Sequence, residues 1–139
     1  MIEFHFESDF KLDDKTKYSD WVNRVIEGEG FRVGDVSYIF KDDDGLLRIN
    51  QSYLNHDWYT DIITFDYVQG RVISGDIFIS TERVNENAKE YQVDFEEELL
   101  RVMAHGLLHL MGFSDKDNDS SVVMREKEDE KIKLFHVER

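Results

Sequence analysis

The stretch Arg101–Asp119, RVMAHGLLHLMGFSDKDND, places polar side chains at a regular spacing in an otherwise apolar segment. Its leucine, valine and methionine residues surround the segment on nearly every side, which predicts a helix buried in the protein. Gly112 is expected to end this helix, because glycine often follows a helix C-terminus. His105 and His109 are four residues apart and therefore lie on one face of the helix. The stretch predicts a buried central helix that carries an HxxxH pair.

Asp115 follows His109 by six residues, beyond the predicted glycine turn. The chain can turn back after Gly112, so that the carboxylate faces the two imidazoles. Histidine and carboxylate are ligands that zinc accepts, and a catalytic zinc site keeps a fourth position for water. We therefore predict one Zn²⁺ per chain, held by His105, His109 and Asp115, with other divalent ions as substitutes. The alternative is a pair of hydrogen-bonded core histidines without a metal.

Composition indicates an ordinary folded domain. The chain has 139 residues, of which 40% are hydrophobic, and no linker or repeat divides it, so we expect a single domain over residues 1–139. It contains no cysteine, so histidine and carboxylate side chains must provide the ligands of any metal. The sequence shows no apolar run of membrane length and no signal peptide, which favours a cytoplasmic protein without a membrane partner.

The hydrophobic pattern predicts an α+β fold, with one small mixed β-sheet of about four strands covered by helices. The predicted strands are Ile2–Glu7, Val33–Lys41, Thr60–Val68 and Arg71–Thr81, the last two forming a hairpin around Gln69-Gly70. The predicted helices are Lys15–Glu29, Gly45–Asn55, Arg83–Tyr91, the central helix and Ser120–Phe135. Carboxylates satisfy free amides at helix starts, so we assign caps to the run Asp42–Asp44, to Asp94 and to Asp119.

Two further acids, Asp61 and Asp76, lie inside apolar strands. A buried carboxylate needs partners, so each is either a structural hydrogen-bond acceptor or a group that lines the functional cleft. We favour the structural role for Asp61 and leave both roles open for Asp76.

The run His105–Phe113, HGLLHLMGF, resembles the signature of the YbeY family, metal-dependent endoribonucleases that act in ribosomal RNA maturation. The family pattern is His-Gly-x-Leu-His-Leu-x-Gly-Tyr/Phe-Asp-His. Upstream, Thr60–Phe65 (TDIITF) and Gly75–Ile77 (GDI) are similar to two strands of the family and occur in the same order. The signature is specific, and the two strand blocks support it.

The sequence departs from the family pattern at two positions. Where the signature ends in Asp-His, the chain has Ser114-Asp115, so the resemblance assigns the third ligand to an aspartate. The family also carries Asn-x-x-Tyr/Phe-Arg in an earlier helix, and here Leu54 occupies the arginine position. Because an arginine would stabilise phosphate charge in the transition state, its absence leaves Arg48, Arg71 or a lysine as a substitute, or no substitute.

The resemblance implies a zinc-dependent endoribonuclease that cuts single-stranded RNA in ribosomal RNA maturation and ribosome quality control. The implied partners are ribosomal RNA, the small ribosomal subunit with its proteins, and an Era-type GTPase. One alternative is a non-catalytic ribosome assembly factor in which the metal only stabilises the fold. A zinc peptidase is disfavoured, because Gly106 occupies the position of the general base in His-Glu-x-x-His. The sequence assigns no catalytic residue besides the metal ligands.

The charge of the chain disfavours non-specific RNA binding. Acidic residues outnumber basic ones 31 to 17, a net charge of −14. A polyanion such as RNA prefers basic partners. We therefore expect a protein partner or the assembled ribosome to assist recruitment.

Overall fold

The computed structural model describes residues 1–137, two residues short of the end of the predicted domain. The strands in this range are β1 (Ile2–Phe6), β2 (Arg32–Lys41), β3 (Ile62–Asp66) and β4 (Val72–Ser80). The helices are α1 (Lys15–Gly28), α2 (Asp43–Leu54), α3 (Thr81–Tyr91), α4 (Phe95–Leu110) and α5 (Asn118–Phe135). The predicted α+β class and the predicted order of elements are confirmed.

The four strands form one mixed sheet in the order β1-β2-β4-β3. β2 pairs in parallel with both β1 and β4, while β3 pairs antiparallel to β4, as the predicted hairpin requires. Parallel neighbours need a crossover connection, and α1 provides it between β1 and β2. The sheet is therefore mixed, as predicted.

Helix α4 packs closely against the hairpin side of the sheet. A Cβ atom added at Gly106 would lie 3.0 Å from Ile62 Cδ1 and 3.1 Å from Ile77 Cγ2. The glycine therefore allows the helix backbone to approach β3 and β4. Gly112 has a φ of +98°, and the turn that it forms ends the helix as predicted, with the Phe113 amide donating to the Leu108 carbonyl at 3.0 Å.

The core lies between the sheet and the helices α1, α4 and α5. Its largest fully buried side chains include Trp21, Tyr38, Phe40, Leu99, Leu100, Met103 and Phe135. The two polar atoms that these aromatic rings bring into the core are both satisfied: Tyr38 Oη donates to the Met103 carbonyl at 3.0 Å, and Trp21 Nε1 donates to the Lys131 carbonyl at 2.8 Å. The core thus fixes α4 to β2 and α5 to α1.

The predicted caps are correct in part. Asp42 caps α2 by accepting from the Gly45 amide at 2.7 Å, so this helix begins two residues earlier than predicted. Asp94 occupies the N-cap position of α4, but its side chain makes no capping hydrogen bond. The cap assigned to Asp119 is wrong. Asp117 caps α5, because its carboxylate accepts from both the amide and the hydroxyl of Ser120 at 2.8 Å in a reciprocal capping box.

None of the helices in residues 1–137 has the length and apolar character that crossing a membrane requires.

Candidate active site

His105 lies on the wall of a cavity of about 270 Å³ between α3, α4, α5 and the start of β3. The segment before β3 contributes Asp61, and the loop between α4 and α5 contributes Asp115. Other polar side chains that line the cavity are Asn87 on α3, Glu98 and Arg101 on α4, and Arg125 and Glu128 on α5. The cavity therefore combines one imidazole, four carboxylates and two guanidinium groups.

Carboxylates lie on both sides of the His105 ring. Nδ1 is 2.7 Å from Glu128 Oε2, and Nε2 is 3.5 Å from Asp115 Oδ2. Because an ionised carboxylate only accepts hydrogen bonds, Nδ1 carries a proton and the lone pair of the neutral ring is at Nε2. The nitrogen that could bind a metal therefore faces Asp115.

Glu128 is itself held in place. Its side chain is only 8% exposed, and its Oε1 accepts from Arg101 Nη1 at 3.0 Å. Arg101 also donates through Nη2 to Asp129 Oδ1 at 2.6 Å. An Arg101–Glu128–His105 chain thus connects α4 with α5, and such a carboxylate–histidine contact is typical of the groups that orient metal ligands.

The environment of His105 favours its protonated form when no metal is bound. The hydrogen bond that His105 Nδ1 donates to Glu128 is the largest cause that raises the pKa of the imidazole, and the charges of Glu128, Asp115 and Asp61 add to it. Burial acts in the opposite direction. A proton and a metal ion would therefore compete for Nε2.

The structure brings together two of the three predicted metal ligands. His105 and Asp115 approach one another, whereas His109 lies one helical turn further along α4 and is exposed. Among the residues that the structure describes, no three histidine, aspartate or glutamate side chains converge closely enough to hold an ion. The imidazole and carboxylate donors fit zinc in their chemistry, and Nε2 of His105 faces Asp115.

A second pair of carboxylates, Asp61 and Glu98, also lines the cavity. Glu98 is 5% exposed, and burial, followed by the charge of Asp61, raises its pKa to about 7. Burial also raises the pKa of Asp61, whose Oδ2 accepts from Asn87 Nδ2 at 3.4 Å. Asp61 is thus both a hydrogen-bond acceptor and a group that lines the cavity, the two roles that the sequence analysis considers for it. Asp76 lies in a separate depression, where it accepts from Tyr67 Oη at 3.2 Å.

The arginines at the cavity differ from those named as substitutes for the family arginine. Arg71 is held elsewhere: its Nε donates to the Gly30 carbonyl at 2.9 Å, and its guanidinium covers the Phe31 ring at 4.2 Å. Arg48 is exposed on α2 and does not line the cavity. Arg101 and Arg125 do line it, and since Arg101 is paired with carboxylates, the guanidinium of Arg125 is the better placed for a phosphate.

Glu128, Arg101 and Arg125 were not among the residues singled out from the sequence. The spacing of residues in the final helix does point to Glu128. It lies three or four residues from the neighbouring members of the helix face that is buried, which also contains Met124, Lys131, Ile132 and Phe135. A carboxylate on the buried face of a helix needs a partner in the protein. That requirement identifies Glu128 as a candidate, although it does not identify His105 as the partner.

Comparison with known proteins places the chain among its relatives. The family model described as Endoribonuclease YbeY matches residues 3–136. The chain is 54% identical to Endoribonuclease YbeY of Flavobacterium johnsoniae over 139 residues, which is 100% of both chains. It is 55% identical to Endoribonuclease YbeY of Flavobacterium psychrophilum, covering 100% of this chain and 99% of the relative.

A solved structure has a similar fold. The solution structure of TM1509 from Thermotoga maritima superposes with a TM-score of 0.67 and 27% identity, covering 97% of this chain and 89% of that chain. The family match spans nearly all of the sequence, including the cavity and the HGLLHLMGF run. The chain therefore belongs to the endoribonuclease YbeY family.

Proposed function

We propose that this member of the family is a zinc-dependent endoribonuclease that cuts single-stranded segments of ribosomal RNA during ribosome maturation and quality control. The name shared by the family model and the relatives supports hydrolysis within an RNA chain. The observation that carries the metal part of the proposal is the orientation of His105, whose Nδ1 is engaged by Glu128 at 2.7 Å while Nε2 faces Asp115.

His105, His109 and Asp115 would hold the ion. A bound Zn²⁺ would polarise the phosphodiester and supply a nucleophilic water near neutral pH. Glu128 would keep the His105 ring oriented, and the guanidinium of Arg125 would neutralise charge on the phosphate. Because one ligand is a carboxylate, manganese or magnesium could replace zinc more readily than in a site made of three histidines.

The structural role of Gly106 counts against the peptidase alternative. A zinc peptidase needs a glutamate at this position as its general base. Here the glycine faces Ile62 and Ile77 of the sheet, and even a Cβ atom would be tightly packed. The non-catalytic assembly factor is the remaining alternative, and Leu54 and the net charge of −14 are the observations that favour it.

Ribosomal RNA, the small subunit with its proteins and an Era-type GTPase are the proposed partners. The cytoplasm is the proposed location, since ribosomal particles mature there. These assignments depend on the family resemblance and on the charge argument, which favours recruitment by an assembled particle over free RNA.

Metal analysis and cleavage assays test the proposal together. Untagged protein should contain close to one zinc per chain, and the variants His105→Ala and His109→Ala should lose it. Wild type should cleave RNA in small-subunit particles, whereas His109→Ala should not. His136→Ala is a matched control, because His136 lies beyond α5 and outside the cavity.

Each failure has a distinct meaning. A folded wild type that binds no divalent ion would refute the metal site. Equal cleavage by wild type and His109→Ala would indicate a contaminating nuclease. Normal binding to small-subunit particles without cleavage would favour the assembly factor.

A further inference from the structure

The exposed large apolar side chains of this protein are concentrated in the part of the chain around β3. Five of the ten exposed large apolar residues described within 1–137 fall between residues 53 and 67, namely Tyr53, Leu54, Trp58, Tyr59 and Tyr67. Isolated exposed apolar residues are common in proteins, but a local concentration of them indicates a contact surface.

Two rings of this segment already form a flat platform. The rings of His56 and Trp58 stack with centroids 4.2 Å apart and an angle of 17° between their planes. Trp58 is nevertheless 57% exposed, so its ring remains accessible to a ligand. We refer to this stacked pair as the His56–Trp58 platform.

The backbone of the platform is anchored to a buried residue. Asn50, only 2% exposed, donates from its Nδ2 to the Trp58 carbonyl at 2.8 Å, and its own carbonyl accepts from the His56 amide at 3.0 Å. The next residue, Tyr59, is fixed by a hydrogen bond to Asp44 at 3.2 Å. An exposed ring on an anchored backbone loses little conformational freedom when a ligand binds.

The platform is also close to the cavity along the chain. Trp58 precedes Asp61 by three residues, and Asp61 and Ile62 line the cavity together with His105. A chain segment of this length spans at most roughly 11 Å. An RNA strand with one phosphodiester in the cavity therefore has neighbouring nucleotides within reach of the platform.

We propose that the His56–Trp58 platform binds an unpaired base of single-stranded RNA next to the phosphodiester held in the cavity. The proposal rests on the proposed function, because it provides the contact by which that activity would hold its substrate. Aromatic rings bind the faces of bases in single-stranded RNA with little regard for sequence.

The charge of the protein favours a base over a phosphate at this position. The chain carries a net charge of −14, and the acids Asp57 and Asp44 flank the platform. Contacts to phosphates require cations, whereas stacking on a base requires only an accessible aromatic face. A protein surface is the competing occupant, and the experiment separates the two.

The tryptophan content of the chain provides a direct assay. Its two tryptophans are Trp58 and the fully buried Trp21. Short single-stranded oligoadenylate or oligouridylate, added in the presence of a metal chelator, should quench the fluorescence of Trp58. Oligoadenylate should bind more tightly than oligouridylate, because purines stack more strongly.

Two variants and a control complete the test. Trp58→Ala should weaken binding roughly tenfold in an anisotropy assay with labelled RNA, since stacking of one base typically contributes that much. Trp58→Phe should retain most of the affinity but lose the quenching. Val122→Ala removes an equally exposed apolar side chain from α5 and should change neither. In cleavage assays, Trp58→Ala should raise KM and leave kcat nearly unchanged.

The outcomes distinguish this inference from the proposed function. Quenching by RNA without any cleavage would uphold the platform and count against the proposed activity. Unchanged RNA binding and KM in Trp58→Ala, with normal cleavage, would overturn the platform alone. A Trp58 response to ribosomal proteins but not to either oligonucleotide would also overturn it, since the surface would then bind protein.

Discussion

The orientation of His105 depends on a residue from another helix. Glu128 engages Nδ1 at 2.7 Å and is itself held by Arg101 at 3.0 Å. A carboxylate in this position fixes the proton on Nδ1 and strengthens the basicity of Nε2. The zinc affinity of the candidate metal site should therefore depend on α5 as well as on α4.

Replacing Glu128 by glutamine should weaken zinc binding. Glu128→Gln keeps the size of the side chain but removes its charge, so we expect zinc affinity to fall roughly tenfold to a hundredfold. Competition with a chromophoric chelator measures the affinity, and circular dichroism checks the fold. Glu126→Gln changes an exposed residue of the same helix and serves as the control. An unchanged affinity in folded Glu128→Gln would show that the charge of Glu128 does not support the site.

Asp115 and Asp117 should have separable roles. Asp115 is 48% exposed and faces His105, so Asp115→Ala should reduce zinc affinity and leave thermal stability nearly unchanged. Asp117 caps α5, so Asp117→Ala should lower the free energy of unfolding by about 1 kcal/mol and leave zinc affinity unchanged. Zinc titration and urea denaturation of both variants test this. Loss of zinc only in Asp117→Ala would mean that the third ligand is misassigned.

The sequence predicts the residues of this site unequally. The spacing of His105 and His109 is a local property of a helix, so it could be recognised directly. The contact of His105 with Glu128 joins residues 23 positions apart, and it depends on how α4 packs against α5. Periodicity shows which face of a helix is buried, but it does not show which residues of another helix that face will contact.

At the scale of elements, α4 carries two of the three candidate ligands, His105 and His109, and a buried acid in its first turn. Glu98 lies near Asp61, Arg101, Glu128 and Arg125, and it is 5% exposed. Burial raises its pKa from 4.5 to about 7, and the negative charge of Asp61 adds to the shift. The folded protein therefore keeps a proton on Glu98 over a pH range in which the unfolded chain has released it.

The shifted pKa predicts a pH dependence of stability. The contribution of neutral Glu98 is full below pH 4.5, decreases as the pH rises and is lost above about pH 7. Glu98→Gln keeps a neutral side chain at every pH. The free energy of unfolding of the variant, relative to that of wild type, should therefore increase by up to about 3 kcal/mol as the pH rises through this range. Urea denaturation of both metal-free proteins at several pH values provides the measurement. A constant difference between them would contradict the prediction.

Helix starts illustrate the limits of local rules. Asp117 and Asp119 are both acids near the start of α5, and the prediction that Asp119 caps the helix is wrong. The capping box that selects Asp117 needs Ser120 three residues later, a spacing that is visible in the sequence.

The strand order β1-β2-β4-β3 could not be predicted in this way, since the residue pattern within a strand does not specify which strands lie next to it. The mixed character of the sheet could nevertheless be predicted, because the hairpin makes β3 and β4 antiparallel while the helix between β1 and β2 is the connection that parallel strands need.

At the scale of the whole molecule, a net charge of −14 opposes binding to free RNA. Several of the cations are already neutralised: Arg101 pairs with Glu128 and Asp129, and Lys127 and Lys131 both pair with Glu29. These pairs reduce the number of positive groups that are available to displace counterions from phosphates. An endoribonuclease of this charge should gain its affinity from contacts other than those with the phosphate backbone.

The salt dependence of RNA binding should reflect this charge. For a single strand, the logarithm of the binding constant falls with the logarithm of salt concentration by about 0.7 per neutralised phosphate. We expect a slope close to that of one or two phosphates on free oligonucleotides, about −1. Affinity and cleavage should both be higher on small-subunit particles, where protein contacts can add to the RNA contacts. Fluorescence anisotropy across a salt series and cleavage of both substrates by the same preparation test these expectations. A steep slope on free RNA, with equal cleavage of both substrates, would mean that a local basic surface overrides the charge of the whole chain.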